Sequence, residues 1–189
     1  MINKLIEKRY SPRAFSNKRV NTENLIELFQ AASYAASSRN EQPWRFIYVT
    51  KEQPEEYHNI FECLGDWNQK WAKLVPVLIV TVAKIHYDHK NYPNSHAKYD
   101  LGQAVGTMAI QVTELGLHMH QMGGFDSVKA KNDLNIPEGY EAVSMIALGY
   151  LGEQNDLDEE FLKIESNERI RKPVSEIAFK GEWREESNK

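Results

Sequence analysis

From Val75 to Ala83 the chain is nearly continuous in apolar character, with Thr81 the one polar residue. Valine and isoleucine at this density favour a strand, and a strand without a polar side is buried on both faces. The run is too short to cross a membrane. Ala142 to Leu151 repeats the pattern. Two such strands require a layered domain with helices packed on a sheet. A chain of 189 residues is long enough for one such domain with a sizeable core, and short for two.

The flanking segments supply the helices. Ile2 to Arg9 predicts a short helix that Pro12 breaks. Asn21 or Thr22 caps a second, reaching about Ala36, with Leu25, Phe29 and Ala32 at helical spacing. Arg45 to Thr50 predicts a strand and Pro54 to Leu64 a helix. Leu101, Val105, Met108, Val112, Leu115 and Met119 recur at steps of three and four. That stripe predicts a long central helix from Lys98 to Met122, stopped by Gly123-Gly124. A short helix from Ser127 to Asn135 and a partly helical Asp156 to Asn167 follow. The expected class is α+β, with a small mixed or antiparallel sheet among helices. From Arg169 to the end, Val174, Ile177, Phe179 and Trp183 are scattered apolar residues with nothing local to bury them. This C-terminal arm, 169–189, is expected to lie on another surface.

Charge and composition exclude several classes. The net charge of −4 argues against general nucleic-acid binding, which needs a basic excess. One cysteine, Cys63, allows no intrachain disulfide; it sits in an apolar stretch and is expected to be packed rather than reactive. No long apolar region follows Met1, so a cytoplasmic protein without a signal peptide is expected. The histidines show no HExxH spacing, so no metal site is expected. His118 and His120, two apart on a helix, would point to different faces. Neither a GxSxG elbow nor a Rossmann or phosphate-loop glycine pattern occurs. DLGQAVG, on a helix, suits close packing, and Trp67 and Trp71, four apart, suit the core.

Within this acidic chain two arginine pairs stand out. Arg9 and Arg13 flank Tyr10-Ser11-Pro12, and Arg169 and Arg171 flank Ile170. Arginine presents a planar fork suited to phosphate or carboxylate, and Ser11 adds a hydroxyl. A surface with ordinary salt bridges would use the same residues. Ser37, Ser38, Asn40 and Gln42, between an alanine-rich helix and a strand, suit the edge of a neutral heteroaromatic ring or a sugar hydroxyl. A polar turn would use those too.

The segments together resemble the nitroreductase family of FMN-dependent oxidoreductases. The likeness is carried by RYSPRAF (9–15), AASSRNEQPWRF (35–46), Asn68, WAKLVPVLIVTVAK (71–84), DLGQAVGTM (100–108), MGGF (122–125), MIALGYLG (145–152) and RIRKPVSEI (169–177). Their order and spacing are specific where no single string is. The resemblance implies that Arg9, Tyr10, Ser11 and Arg13 surround the ribityl phosphate and the ring edge of FMN. It places Ser37, Ser38, Asn40 and Gln42 at the same flavin from a partner subunit. Asn68 would contact the pyrimidine side, Met122, Gly123 and Gly124 would lie against the ring near N5, and Arg169 and Arg171 would close on the phosphate. Ala36 stands where the family often has proline, which loosens that turn without removing a side-chain contact.

The residue chemistry suits these roles. An FMN phosphate carries close to two negative charges, which three or four arginines would neutralise. Gly123-Gly124 lets the backbone approach a ring closely. The resemblance implies one nitroreductase-like domain over 1–189 in an intertwined homodimer, the arm wrapping the partner. It implies ping-pong transfer of hydride from NAD(P)H through flavin N5 to a nitroaromatic, quinone or similar small oxidant. No side chain need act as acid or base, because the cofactor carries the chemistry. Reductive dehalogenation, flavin breakdown, or flavin binding without turnover would use the same motifs, and the loop from Tyr87 to Tyr99 would decide among substrates.

Overall fold

A computed structural model describes residues 1–88 and 92–183. His89 and the end of the arm, 184–189, lie outside the described residues. In chain order the elements are α1 (Lys4–Lys8), α2 (Thr22–Ser33), β1 (Trp44–Thr50), α3 (Pro54–Phe61), α4 (Asp66–Trp71), β2 (Val77–Lys84), α5 (Ala97–Glu114), β3 (His118–Met122), α6 (Ser127–Asp133), β4 (Tyr140–Gly149) and α7 (Glu159–Glu165). The four strands form one sheet in the order β1-β2-β4-β3, with every neighbouring pair antiparallel.

The apolar run becomes β2, at the centre of the sheet, and it is buried on both faces. Its side chains alternate between two cores. Val77 and Ile79 join Leu28 of α2 and Leu101, Val105 and Met108 of α5 on one face. Leu78, Val80 and Val82 join Ile60, Cys63, Trp71 and Phe161 on the other. The pairing of β2 with β4 shifts register between Thr81 and Val82. There the buried Thr81 hydroxyl bonds the Ser144 hydroxyl at 2.8 Å and accepts from the Ser144 N–H at 3.1 Å. Cys63 is buried, as its apolar neighbours predicted.

The long helix ends earlier than its stripe predicts. Helix α5 stops at Glu114, and Gly116 takes a left-handed φ of 68°. The N–H of Gly116 bonds the carbonyl of Thr113, and that of Leu117 bonds the carbonyl of Val112. This pair of bonds closes a helix C-terminus and turns the chain away. Residues 118–122 then form the edge strand β3, so Gly123-Gly124 ends a strand instead of a helix. Met119 continued the helical spacing only by coincidence. On a strand, residues two apart share a face, so His118 and His120 point the same way, contrary to the helical expectation. Asp66–Trp71 also forms a helix of its own. Trp71 is buried in the second core, while Trp67 is 47% exposed and lays its ring against Phe161.

Candidate functional site

The segment after α1 is fastened to β3. Arg9 caps α1 in an extended conformation, and Pro12 prevents further helix. The Pro12 carbonyl accepts from His120 Nδ1 at 2.9 Å, and the Tyr10 ring meets the His118 ring edge-on at 5.1 Å. His120 also packs on the Trp71 ring at 4.8 Å. Burial pushes both histidines below the ordinary imidazole range. At His120 the bonds to the main chain of Pro12 and Ser11 oppose that shift, and Arg13 adds to it. Farther along, Phe15 bridges to Leu151, and the Gly152 N–H bonds the Ala14 carbonyl at 3.0 Å. The backbones approach so closely that a Cβ on Gly152 would stand 2.4 Å from the Phe15 carbonyl carbon.

Three arginines gather at the end of α1. Arg9 donates to Ser11 Oγ at 3.3 Å. Arg169 spans two carbonyls of α1, those of Arg9 at 2.7 Å and Glu7 at 2.6 Å. Burial first, and then the charges of Arg169 and Arg171, lower the Arg9 pKa. Among the described residues none of the three has a carboxylate within ion-pair distance. Positive charge without a local counterion is the footing of an anion site. Arg13 stands apart, since Glu165 takes it as partner.

Asn68 and the glycine pair also meet. Asn68 Nδ2 donates to the Gly124 carbonyl at 2.9 Å, and Asn68 Oδ1 accepts from Trp71 Nε1 at 3.2 Å. The Gly65 N–H bonds the same Gly124 carbonyl at 3.0 Å. This pins the carbonyl inward while Gly123 and Gly124 stay exposed. Met122 is buried, so it offers a ligand its main chain and not its side chain.

The polar turn is built separately. Arg39, Asn40 and Gln42 take left-handed φ values of 54°, 56° and 47°. Such conformations cost non-glycine residues roughly 1–3 kcal/mol each, and cluster where function over-determines the backbone. The turn is held by the Ser38 N–H on Asp100 Oδ2 at 3.0 Å, by Ser38 Oγ against Tyr87 Oη at 3.1 Å, and by the Gln42 N–H on Ser37 Oγ at 3.0 Å. Asp100 is a buried acid in the first turns of α5.

The fold thus brings Arg9, Tyr10, Ser11, Arg169 and Arg171 together, and joins Asn68 to Gly124. The bonds that fix Ser37, Ser38, Asn40 and Gln42 run instead to Asp100, to Tyr87 and within the turn itself. Sequence reasoning missed Glu165, which is 152 residues from Arg13 and carries no local signal. It quoted Asp100 within a motif without giving it a role, and it weighed His118 and His120 on the wrong element. Among the described residues no group of three His, Cys, Asp or Glu side chains could hold a metal, and no helix is long and apolar enough to cross a membrane.

Known proteins share this architecture. The crystal structure of an oxidoreductase containing FMN superposes with a TM-score of 0.92 at 33% identity, over 97% of this chain and 93% of that one. A protein of Archaeoglobus fulgidus, provisionally named an NADH dehydrogenase/NAD(P)H nitroreductase, is 28% identical over 158 residues, spanning 82% of this chain and 88% of that one. The major NAD(P)H-flavin oxidoreductase of Aliivibrio fischeri is 31% identical over 89 residues, or 46% of this chain and 41% of that one. The model of the nitroreductase family matches residues 6–75 and 51–150. With that match running through the basic segment, the polar turn, the glycine pair and all four strands, this chain belongs to the nitroreductase family of oxidoreductases.

Proposed function

We propose that the protein is an FMN-dependent oxidoreductase that draws on NAD(P)H and reduces a nitroaromatic, quinone or similar small oxidant by ping-pong turnover. The observation that carries this reading is the trio Arg9, Arg169 and Arg171, positive and, among the described residues, without carboxylate partners; the exposed main chain of Gly123 and Gly124 follows β3, the strand on which the same basic segment is fastened. A phosphate with close to two charges suits the trio, and a flat ring suits main chain without a Cβ. FMN, when bound, would supply the two-electron chemistry, and the protein's part is to hold and orient it. Arg9, Ser11 and Arg171 would hold the phosphate. Tyr10 would flank it, and Asn68, by fixing the Gly124 carbonyl, would aim the Gly123 and Gly124 N–H groups at the ring.

The reading includes a cytoplasmic homodimer of single-domain subunits (1–189). Ser37, Ser38, Asn40 and Gln42 would complete the partner's site; none of the bonds that fix their turn runs to the basic trio. Ile170, Val174, Ile177 and Trp183 are between 64% and 83% exposed, which suits an arm laid on another copy.

The test is the absorbance spectrum of the purified protein, followed by anaerobic addition of NADH and of NADPH. A flavin spectrum bleached by either donor supports the enzyme. A flavin that stays oxidised with both makes this a binding protein without turnover. A colourless protein that takes up no FMN in titration overturns the cofactor assignment.

A further inference from the structure

A cavity of about 300 Å³ lies where three parts of the chain meet. Arg13 and Phe15 come from the basic segment, Trp71 and Lys73 from the end of α4 and the turn after it, and Asp156, Leu157 and Asp158 from the segment that leads into α7. That volume takes a small molecule. The frame is fixed. The Phe15 and Trp71 rings are buried and stacked at 6.2 Å, and Trp71 Nε1 donates to Asn68 Oδ1. Phe161 roots α7 in the core, and Glu160 of α7 pairs with Lys70 of α4 at 3.0 Å.

The charges on this frame are only partly matched. Lys70 has Glu160, and Arg13 has Glu165, whose Oε1 accepts from the Arg13 main-chain N–H at 3.1 Å and from Nη1 at 3.3 Å. One oxygen takes few of the donors that a guanidinium carries, and Arg13 Nε is buried without an acceptor. Lys73, Asp156 and Asp158 are exposed and, among the described residues, their side chains hold no ion pair or hydrogen bond. Asp158 is the N-cap of α7, where an aspartate ordinarily accepts from a first-turn N–H, yet its side chain makes no such bond. A free cation and two free acids thus line one cavity without pairing with each other.

An anion in this cavity would meet Lys73 and Arg13 and leave both acids unmatched. A cation would do the reverse. A molecule that carries both charges matches the two sets at once, and an apolar side chain would cover Phe15, Trp71 and Leu157. We propose that the cavity binds a small zwitterion, an α-amino acid with an apolar side chain, its carboxylate on Lys73 and Arg13 and its ammonium on Asp156 and Asp158. The site is independent of the FMN reading, since none of its lining residues belongs to the basic trio or the glycine pair.

The experiment is isothermal titration calorimetry on the full chain at neutral pH with L-leucine, L-methionine and L-phenylalanine. The deaminated acid and the decarboxylated amine of each are the controls; for leucine these are isocaproate and isoamylamine. At least one of the amino acids should bind saturably. Its acid and its amine should each bind more weakly by about tenfold or more, the loss of one charge-assisted contact. Lys73→Met and Asp158→Asn, at exposed positions outside both cores, should each weaken the amino acid by a similar factor. Lys73→Met should not weaken the amine further, nor Asp158→Asn the acid. Absence of saturable binding by all three amino acids overturns the proposal. An acid or an amine that binds as well as its amino acid also overturns it, because the site then reads one charge only. Full affinity for the amino acid in both variants overturns it as well.

Discussion

Arg169 reaches back across 160 residues of chain to donate to the main-chain carbonyl of Arg9 at 2.7 Å. Its other terminal nitrogen takes the Glu7 carbonyl at 2.6 Å. Helix α1 has five residues and cannot satisfy its own last carbonyls, so the guanidinium caps it from outside. Replacing Arg169 by Ala is expected to leave the two cores intact and loosen the arm. Bonds to charged groups contribute about 1.5–3 kcal/mol, and at this exposed position a loss near the lower end is expected. Hydrogen exchange read by mass spectrometry checks it: amides from Ile170 to Phe179 should exchange faster, and those of β2 should not.

Among the described residues Arg171 donates to the neighbouring Ile170 carbonyl and pairs with no carboxylate, which leaves its charge for a ligand. Arg171→Ala should weaken FMN retention by roughly 1.5–3 kcal/mol, the worth of a charge-assisted contact, and leave riboflavin binding nearly unchanged. Equal FMN affinity in variant and parent would remove Arg171 from the site.

Gly152 has no room for a side chain against Phe15. Gly152→Ala should force the basic segment away from β4 at a cost of about 1–3 kcal/mol. For a chain of this size that is a fall of roughly 2–4 °C in Tm per kcal/mol. A thermal melt unchanged within 1 °C (about the smallest shift this scaling resolves) would show that the segment can shift freely.

Stability should fall as pH drops below the ordinary histidine range. Burial is the main cause that holds the folded-state pKa values of His118 and His120 below the ordinary imidazole value of about 6.5. The unfolded chain therefore binds more protons in the window from about 6.5 down to the folded values, and stability rises with pH across it. The histidine contribution is fully present above that window and is lost as pH falls through it. A His118→Gln, His120→Gln double variant should show a flatter melting temperature between pH 5 and 7 (the span about the unfolded histidine pKa) than the parent. Parallel curves would mean that neither ring titrates with unfolding.

If the proposed homodimer forms through the arm, deleting the residues after Arg169 should give folded monomers, because the exposed apolar side chains of the arm are removed with it. Light scattering on the truncated protein decides; a dimeric mass contradicts the arm's role.

Much of the fold was legible because burial on two faces leaves a plain mark. The run that became β2 has no polar side, and the N-cap Asn21 and the first-turn proline Pro54 lie where their residue types favour them. The misreading of β3 has a physical source. Met119 continued a helical spacing by chance, while the decisive residue was Gly116, whose left-handed turn outweighed that stripe. The basic half of the site was legible in its arginines because charge stands out in an acidic chain. Glu165 and Asp100 were not, because an acid that serves a partner far away in sequence looks like any surface acid until the chain is folded. Asn68 uses one N–H on Gly124 and one oxygen lone pair on Trp71, contacts that no local sequence pattern announces, and its second N–H remains for a ligand.

A strand that is apolar on both sides has nothing to tell it which way is out. Sliding β2 by one residue past β4 would exchange the two cores and still bury hydrocarbon against hydrocarbon, so oiliness alone sets no alignment. Thr81 and Ser144 supply what is missing. Their hydroxyls meet at the register shift, and a slip would leave the fully buried Thr81 hydroxyl without that partner. The single polar residue in the most apolar stretch of the chain thus works as a keyed joint, marking one alignment of β2 on β4 by a bond that hydrocarbon contacts do not supply.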